Sequence, residues 1–330
     1  MKALLNRLIN HETISKTEAK QVLVNISKGE YNQSQIASFL TVYMMRSITI
    51  EELEGFRDAL LELCIAVDLS EYNPIDLCGT GGDGKDTFNI STLSSFVSAG
   101  AGIKVTKHGN YGVSSKCGSS NVMEYLGIKF SNDKDFLHRS IDQAGICVLH
   151  APLFHPAMKN VAPIRRELGV KTFFNMLGPM VNPAFPKNQM VGVFNLELAR
   201  MYGYLYQNTD KNFTILHALD GYDEISLTGS TKTISNKTEG MLTPEDFGVK
   251  ALQQEQIAGG DSIEESARIF VNILEGKGTE AQNNVVCANA GMAIATVEGL
   301  QPIEGFEKAK ESLLSGKGLA ALKKIQELSC

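Results

Sequence analysis

The run Gly79-Thr80-Gly81-Gly82-Asp83-Gly84 constrains this chain more than any other segment. It follows the apolar stretch Pro74-Ile75-Asp76-Leu77-Cys78, which reads as a buried strand. Beyond it, Asn89-Ile90-Ser91-Thr92 offers a polar N-cap for a helix running to about Gly100. Glycines after a strand let backbone N–H groups close around a phosphate, and the following helix N-terminus adds its positive dipole. A phosphate-bearing ligand is the expectation.

Two familiar motifs match the loop in letters but not in context. Gly79, Gly81 and Gly84 fit G-x-G-x-x-G, yet a dinucleotide site also needs its helix to open at the glycines and an acid about 20 positions on. The corresponding stretch, Ala101-Gly102-Ile103-Lys104-Val105-Thr106-Lys107, carries no acid. Residues 79–85 also fit G-x-x-x-x-G-K, but Asp86 stands where a nucleotide triphosphate loop needs a hydroxyl for Mg²⁺, and Asp86-Thr87-Phe88 delay the helix.

A second cluster supports the phosphate reading. Lys107-His108-Gly109-Asn110 follows the apolar run Ile103-Lys104-Val105 and leads into Val113-Ser114-Ser115-Lys116-Cys117-Gly118-Ser119-Ser120. Parallel strands of a doubly wound sheet end on one edge, so both loops are expected to open on one crevice. Lys107 and Lys116 supply cations, and the Ser/Gly run supplies hydroxyls and exposed N–H groups. Asp223-Glu224 follows a further strand-like run. Adjacent carboxylates repel, and a divalent cation relieves that repulsion.

The net charge of −6 argues against nucleic acid as the main partner and suits a small anionic substrate met by locally basic loops. The six cysteines are scattered, with no Cys-x-x-Cys pair or zinc spacing, so reduced thiols in a reducing compartment are expected. No apolar run approaches the ~18 residues of a membrane span, and charge comes too early for a signal peptide, so a soluble cytoplasmic protein is expected.

Residues 1–70 read as helices only. Ser15-x-x-Glu18, Asn32-x-x-Gln35 and Thr49-x-x-Glu52 are capping-box starts, and Leu53, Phe56, Leu60 and Leu63 form one apolar stripe available to a core or to another subunit. From Ile75 onward strand-like runs (146–150, 189–194, 213–217) alternate with helical patterns such as 134–144 and 196–205. That order predicts an α/β domain with a mainly parallel central sheet flanked by helices, beside a small all-helical domain. Pro163 marks a kink or break, and the last ~70 residues are helical, with a small-residue stretch at 288–295 that permits close packing.

Taken in order, residues 79–84, 89–92 and 107–110, His155-Pro156-Ala157-Met158-Lys159-Asn160-Val161-Ala162, Asn175-Met176-Leu177-Gly178-Pro179 and Asp223-Glu224 resemble the anthranilate phosphoribosyltransferases over nearly the whole chain. The resemblance implies transfer of the phosphoribosyl group of 5-phosphoribosyl 1-diphosphate to the amine of anthranilate, releasing diphosphate. It implies a homodimer formed by the helical domain (residues 1–70 with a return segment at about 163–185), and an α/β domain from 71–162 and 186–330.

Carried over residue by residue, it assigns phosphoribosyl diphosphate to Gly79, Gly82, Asp83, Thr87, Asn89, Ile90, Ser91, Thr92, Lys107, His108, Gly109, Asn110, Ser114, Ser115 and Ser119. Two Mg²⁺ ions fall to Ser91, Asp223 and Glu224, and anthranilate to Gly79, Asn110, His155, Arg165 and Gly178. Arg165 is the candidate for the acceptor's carboxylate because a guanidinium meets it with two parallel bonds, whereas Arg166 faces away. Lys107 and His108 are the catalytic candidates, without a general base, since a neutral aniline nitrogen attacks unaided. Two positions depart from the family: Tyr111 stands for the usual Arg, and Asn121 for the usual Asp. The alternatives are a pyrimidine nucleoside phosphorylase of the same architecture, which needs no acid pair, and a noncatalytic nucleic-acid-binding relative, which would want a basic stripe.

Overall fold

The computed structural model describes residues 1–112 and 117–330. The chain forms two units, Met1–Val67 with Ala151–Pro183, and Asp68–His150 with Ala184–Cys330.

The first unit is helical: α1 (Lys2–Ile9), α2 (Lys16–Ser27), α3 (Gln33–Met45) and α4 (Ile50–Leu63), joined by the returning α8 (Ala151–Phe154), α9 (Ala162–Leu168) and α10 (Phe174–Leu177). All three expected capping boxes form, on Ser15, Asn32 and Thr49. Leu53, Phe56 and Leu60 are buried within this unit and Leu63 is half-buried, so most of the stripe on α4 is core. Phe56 stacks on Phe173 at 4.5 Å, and Phe39 and Tyr43 meet both rings edge-on. The return segment starts at Ala151, earlier than the expected 163, because residues 151–162 pack on the helices: Asn160 Nδ2 donates to the carbonyls of Ile26 (3.2 Å) and Ser27 (3.0 Å), capping the end of α2. Pro163 stands in the first turn of α9, where its missing N–H leaves no bond unmade.

The second unit is built on a seven-stranded sheet in the order β3-β2-β1-β4-β5-β6-β7. Its strands are β1 (Ile75–Gly79), β2 (Val105–Gly109), β3 (Ile146–His150), β4 (Asn188–Gly192), β5 (Asn212–Ala218), β6 (Thr231–Ser235) and β7 (Glu239–Leu242). The first five run parallel and the last two antiparallel. The helices of this unit are α5 (Ile90–Gly100), α6 (Ser119–Tyr125), α7 (Lys134–Ala144), α11 (Leu196–Tyr206), α12 (Ile263–Leu274), α13 (Glu280–Glu298), α14 (Pro302–Leu314) and α15 (Lys317–Ser329). The expected small-residue stretch lies in α13, where Gly291 faces Gly305 of α14 so closely that a methyl on either would strike the other's backbone or Phe306.

Consecutive strands β1, β2 and β3 run outward to one side, and the chain returns to add β4 and β5 on the other side of β1. The order therefore reverses between β1 and β4. Gly79 pairs with Gly192 at the carboxyl ends of these two strands, which is where open α/β sheets take their ligands.

Candidate active site

Among the chain's exits from the carboxyl edge of the sheet are residues 80–89 after β1, Asn110 onward after β2, and 219–224 after β5. In the first, Gly81, Gly82 and Gly84 hold φ values of +66°, +77° and +75°, a left-handed path that side chains resist. The loop is fastened at both ends. Thr80 N–H donates to Gly192 O at 2.9 Å, and Phe88 is buried. Thr87 bridges Ala258, and Gly259 N–H donates to Asp86 O at 2.7 Å. Asn89 opens α5 but makes no side-chain cap; its amide donates instead to Cys117 O at 3.2 Å, tying the first loop to the second.

The acid pair converges on this loop. Asp223 Oδ2 accepts from Gly81 N–H at 2.6 Å, and Glu224 Oε1 accepts from Ser91 N–H at 2.9 Å in the first turn of α5. Thr87 Oγ1 lies 3.5 Å from Glu224 Oε2. Burial and the neighbouring Asp83 push the Asp223 carboxyl up to about 7, and burial together with Asp223 pushes Glu224 well above the usual carboxylate range. Among the described residues no three His, Cys, Asp or Glu side chains gather to hold a metal ion alone. Two crowded carboxylates short of a full ligand set suit Mg²⁺, which takes one or two carboxylates and completes its shell with phosphate oxygens and water.

Lys107 lies within β2 and not on the loop beyond it, because the strand extends through Gly109. It is buried, its Nζ donates to Leu77 O at 3.2 Å, and burial lowers its pKa against the opposing charges of Asp76, Cys78 and Glu224. Its charge therefore reaches the acid pair from inside the sheet. His108, the other catalytic candidate, is also buried in the strand, with its N–H donating to Asp76 Oδ1 at 3.3 Å.

Asn110 is exposed, and its carbonyl accepts from Ser120 N–H (3.3 Å) and Ser119 Oγ (3.4 Å). Ile90 and Thr92 have buried side chains. Ser114 and Ser115 lie outside the described residues. The two departures have physical accounts. Asn121 Oδ1 accepts from Gly112 N–H and Gly118 N–H, both at 3.1 Å, a task that needs an oxygen and not a charge. Tyr111 sets its ring edge-on to His150 at 4.7 Å and donates to Glu124 at 3.2 Å.

The remaining acceptor candidates lie in the helical unit. Arg165, on α9, sits 5.3 Å from the Phe174 ring and donates through Nη2 to Asn175 Oδ1 at 3.2 Å. Burial lowers its pKa, with no acidic neighbour acting against that, and its Nε is buried without a partner among the described residues. Arg166 is exposed. Burial drops the His155 pKa to about 4, which leaves the ring neutral at pH 7. Gly178 opens the 3₁₀ turn Gly178–Val181.

Four features escaped the sequence reading. Gly192 has no side chain because Asp223 occupies that space, and the same holds for Gly79. Thr80 carries a buried hydroxyl with no partner among the described residues. Asn289 of α13 clamps the backbone after the acid pair, accepting from Ile225 N–H at 3.0 Å and donating to Ile225 O at 2.9 Å. The segment at Ala258 and Gly259 closes one side of the first loop. Only Asn289 left a trace in the sequence, as a lone amide among small apolar residues.

The chain matches the glycosyl transferase family helical bundle domain over residues 2–64 and the glycosyl transferase family a/b domain over residues 71–319. It is 81% identical over 329 residues to an anthranilate phosphoribosyltransferase of Flavobacterium psychrophilum, covering 100% of each chain. It belongs to the anthranilate phosphoribosyltransferase family. The crystal structure of the anthranilate phosphoribosyltransferase from Thermus thermophilus superposes with a TM-score of 0.91 at 31% identity, covering 98% of each chain. The Saccharomyces cerevisiae enzyme in complex with PRPP and Mg superposes with a TM-score of 0.90 at 28% identity, covering 98% of this chain and 96% of that one. The chain is therefore an enzyme of the glycosyl transferase family, and neither the phosphorylase nor the nucleic-acid alternative is favoured. Among the described residues, no helix is long and apolar enough to cross a membrane.

Proposed function

We propose that the chain transfers the 5-phosphoribosyl group of phosphoribosyl diphosphate to the amine of anthranilate, with Asp223 and Glu224 holding Mg²⁺ against the diphosphate. The observation that carries this is the acid pair bound to Gly81 N–H and Ser91 N–H at the sheet's switch point, with carboxyl pKa values raised by burial and like charge. The magnesium-bound yeast relative supports the choice of ion. Two ions per chain, with Ser91 Oγ as a further ligand, follow from the family resemblance.

When bound, Mg²⁺ neutralises the diphosphate and favours its departure. The protein's own groups do the rest. The left-handed glycine path turns backbone N–H groups toward phosphate, and Gly79, Gly82, Asp83, Thr87, Asn89 and Asn110 form the donor and acceptor rim, with Ser119 behind it. The N-terminus of α5 and the buried Lys107 add fixed positive potential as charge builds on the leaving group. Arg165 meets the acceptor's carboxylate. The aniline nitrogen is neutral and needs no base, so positioning supplies the remainder. His155, buried and uncharged at pH 7, adds no charge beside Arg165 for the acceptor's carboxylate.

A homodimer is supported by exposed apolar side chains on the helical unit, Ile9, Met44 and Met45. A cytoplasmic location is supported by six cysteines that are all free. The deciding assay is the loss of anthranilate fluorescence in the presence of phosphoribosyl diphosphate and Mg²⁺. No consumption by folded protein would overturn the reading.

A further inference from the structure

Arg165 is held by two side chains that follow it closely in the chain. Its Nη2 donates to Asn175 Oδ1 at 3.2 Å, and its guanidinium lies 5.3 Å from the Phe174 ring. The same Asn175 oxygen accepts from Thr172 N–H at 3.1 Å. Both lone pairs of that oxygen are thus committed, which fixes how the amide sits. In contrast, Arg165 Nε is buried with no partner among the described residues, and so is Thr172 Oγ1. A half-buried guanidinium that commits one nitrogen to a neutral oxygen keeps its whole charge and its remaining donors for a ligand.

We infer that Asn175 is a positioning residue for the acceptor: its neutral oxygen orients Arg165 without cancelling its charge, so that the remaining guanidinium donors meet a planar aryl carboxylate. The inference rests on the proposed role of Arg165. An Asp at this position would make the same two hydrogen bonds, and the one to Arg165 would be stronger. It would also neutralise the guanidinium and compete with the substrate carboxylate. The amide gives direction alone.

The test compares Asn175→Asp, Asn175→Ser and Arg165→Ala by steady-state anthranilate fluorescence and thermal melting. Asn175→Asp preserves the bond to Thr172 N–H, so its melting temperature should stay near the parent's. Its KM for anthranilate should rise about tenfold or more, with kcat and the KM for phosphoribosyl diphosphate within about twofold. Asn175→Ser, which loses the anchor but adds no charge, should raise the anthranilate KM by a smaller factor, again selectively. A residue with only a structural role would not separate the two KM values in this way. If Arg165→Ala raises the anthranilate KM while Asn175→Asp and Asn175→Ser do not, the positioning role is wrong and the Arg165 assignment stands. If Arg165→Ala leaves the anthranilate KM unchanged, the Arg165 assignment itself falls. An equal rise in both KM values for the Asn175 variants would also overturn the inference.

Discussion

Asp223 stands in space that any side chain on Gly79 or Gly192 would need, so two missing methyl groups place the acid over the sheet's switch point. Gly192→Ala would drive a Cβ into the Asp223 backbone. Overpacking of this kind costs ~1–3 kcal/mol, and a displacement of about 1 Å at a reacting site costs about 10²-fold in rate. The variant should fold with a lower melting temperature and lose about a hundredfold in kcat/KM; near-parent turnover at limiting Mg²⁺ would show that Asp223 need not lie there. His155 gives a second residue-scale prediction, on pH. Its folded pKa of about 4 lies below the ordinary histidine value, so the unfolded chain binds the proton first on acidification. The stability it contributes is complete above about pH 6.5 and is lost as pH falls toward 4. Between about pH 7 and pH 5 the parent should lose about 2 kcal/mol more than His155→Gln, read from urea unfolding at the two pH values. An equal loss in both proteins would mean that His155 takes up its proton in the folded state.

The elements were legible where their signals are local. Capping boxes at Ser15, Asn32 and Thr49 depend on residues three apart, and each forms as its spelling implies. Runs such as Ile146–His150, buried throughout, are strands because apolar side chains on both faces need helices on both sides of a parallel sheet. What escaped depends on partners far away in sequence. Lys107 looks like a loop cation beside His108 and Gly109, yet parallel pairing with β3 carries the strand through Gly109 and buries the ammonium. The antiparallel β6 and β7 are short, polar and partly exposed, so they carry no apolar period. Asn289 belongs to this class, since its value lies in Ile225, 64 positions away. Asn289→Leu would orphan Ile225 N–H and C=O, each at about 1–3 kcal/mol if left buried and unpaired. Unfolding should become easier by at least that much, and the Mg²⁺ concentration for half-maximal rate should rise because Glu224 is the preceding residue. A stability loss with unchanged Mg²⁺ dependence would separate the clamp from the acid pair.

At the scale of the whole molecule, the chain carries a net charge of −6 and yet must hold a highly charged diphosphate. Few cations stand at the described sheet edge: Lys107, inside β2, is committed to Leu77 O, and Lys85 of the first loop lies 4.7 Å over the Tyr222 ring. Ionising the acid pair at the sheet edge is costly in the metal-free fold, through lost hydration first and like-charge repulsion second, and that cost is a strain on the fold. This is intelligible if binding of cation and diphosphate together offsets the strain, since a ligand bound only by the native state stabilises it by RT ln(1 + [L]/Kd). In that case Asp223→Asn combined with Glu224→Gln should leave the protein folded, with a melting temperature in chelator equal to or above the parent's. Turnover should disappear. Mg²⁺ with phosphoribosyl diphosphate at about 100 times Kd should stabilise the parent by about 2.7 kcal/mol, and the variant by almost nothing. Differential scanning calorimetry in chelator, in Mg²⁺ alone and in Mg²⁺ with phosphoribosyl diphosphate separates these states. Should the double variant keep the parent's ligand-induced shift, the diphosphate would be held by the glycine path and α5 without the acid pair, and Mg²⁺ would have to be placed elsewhere.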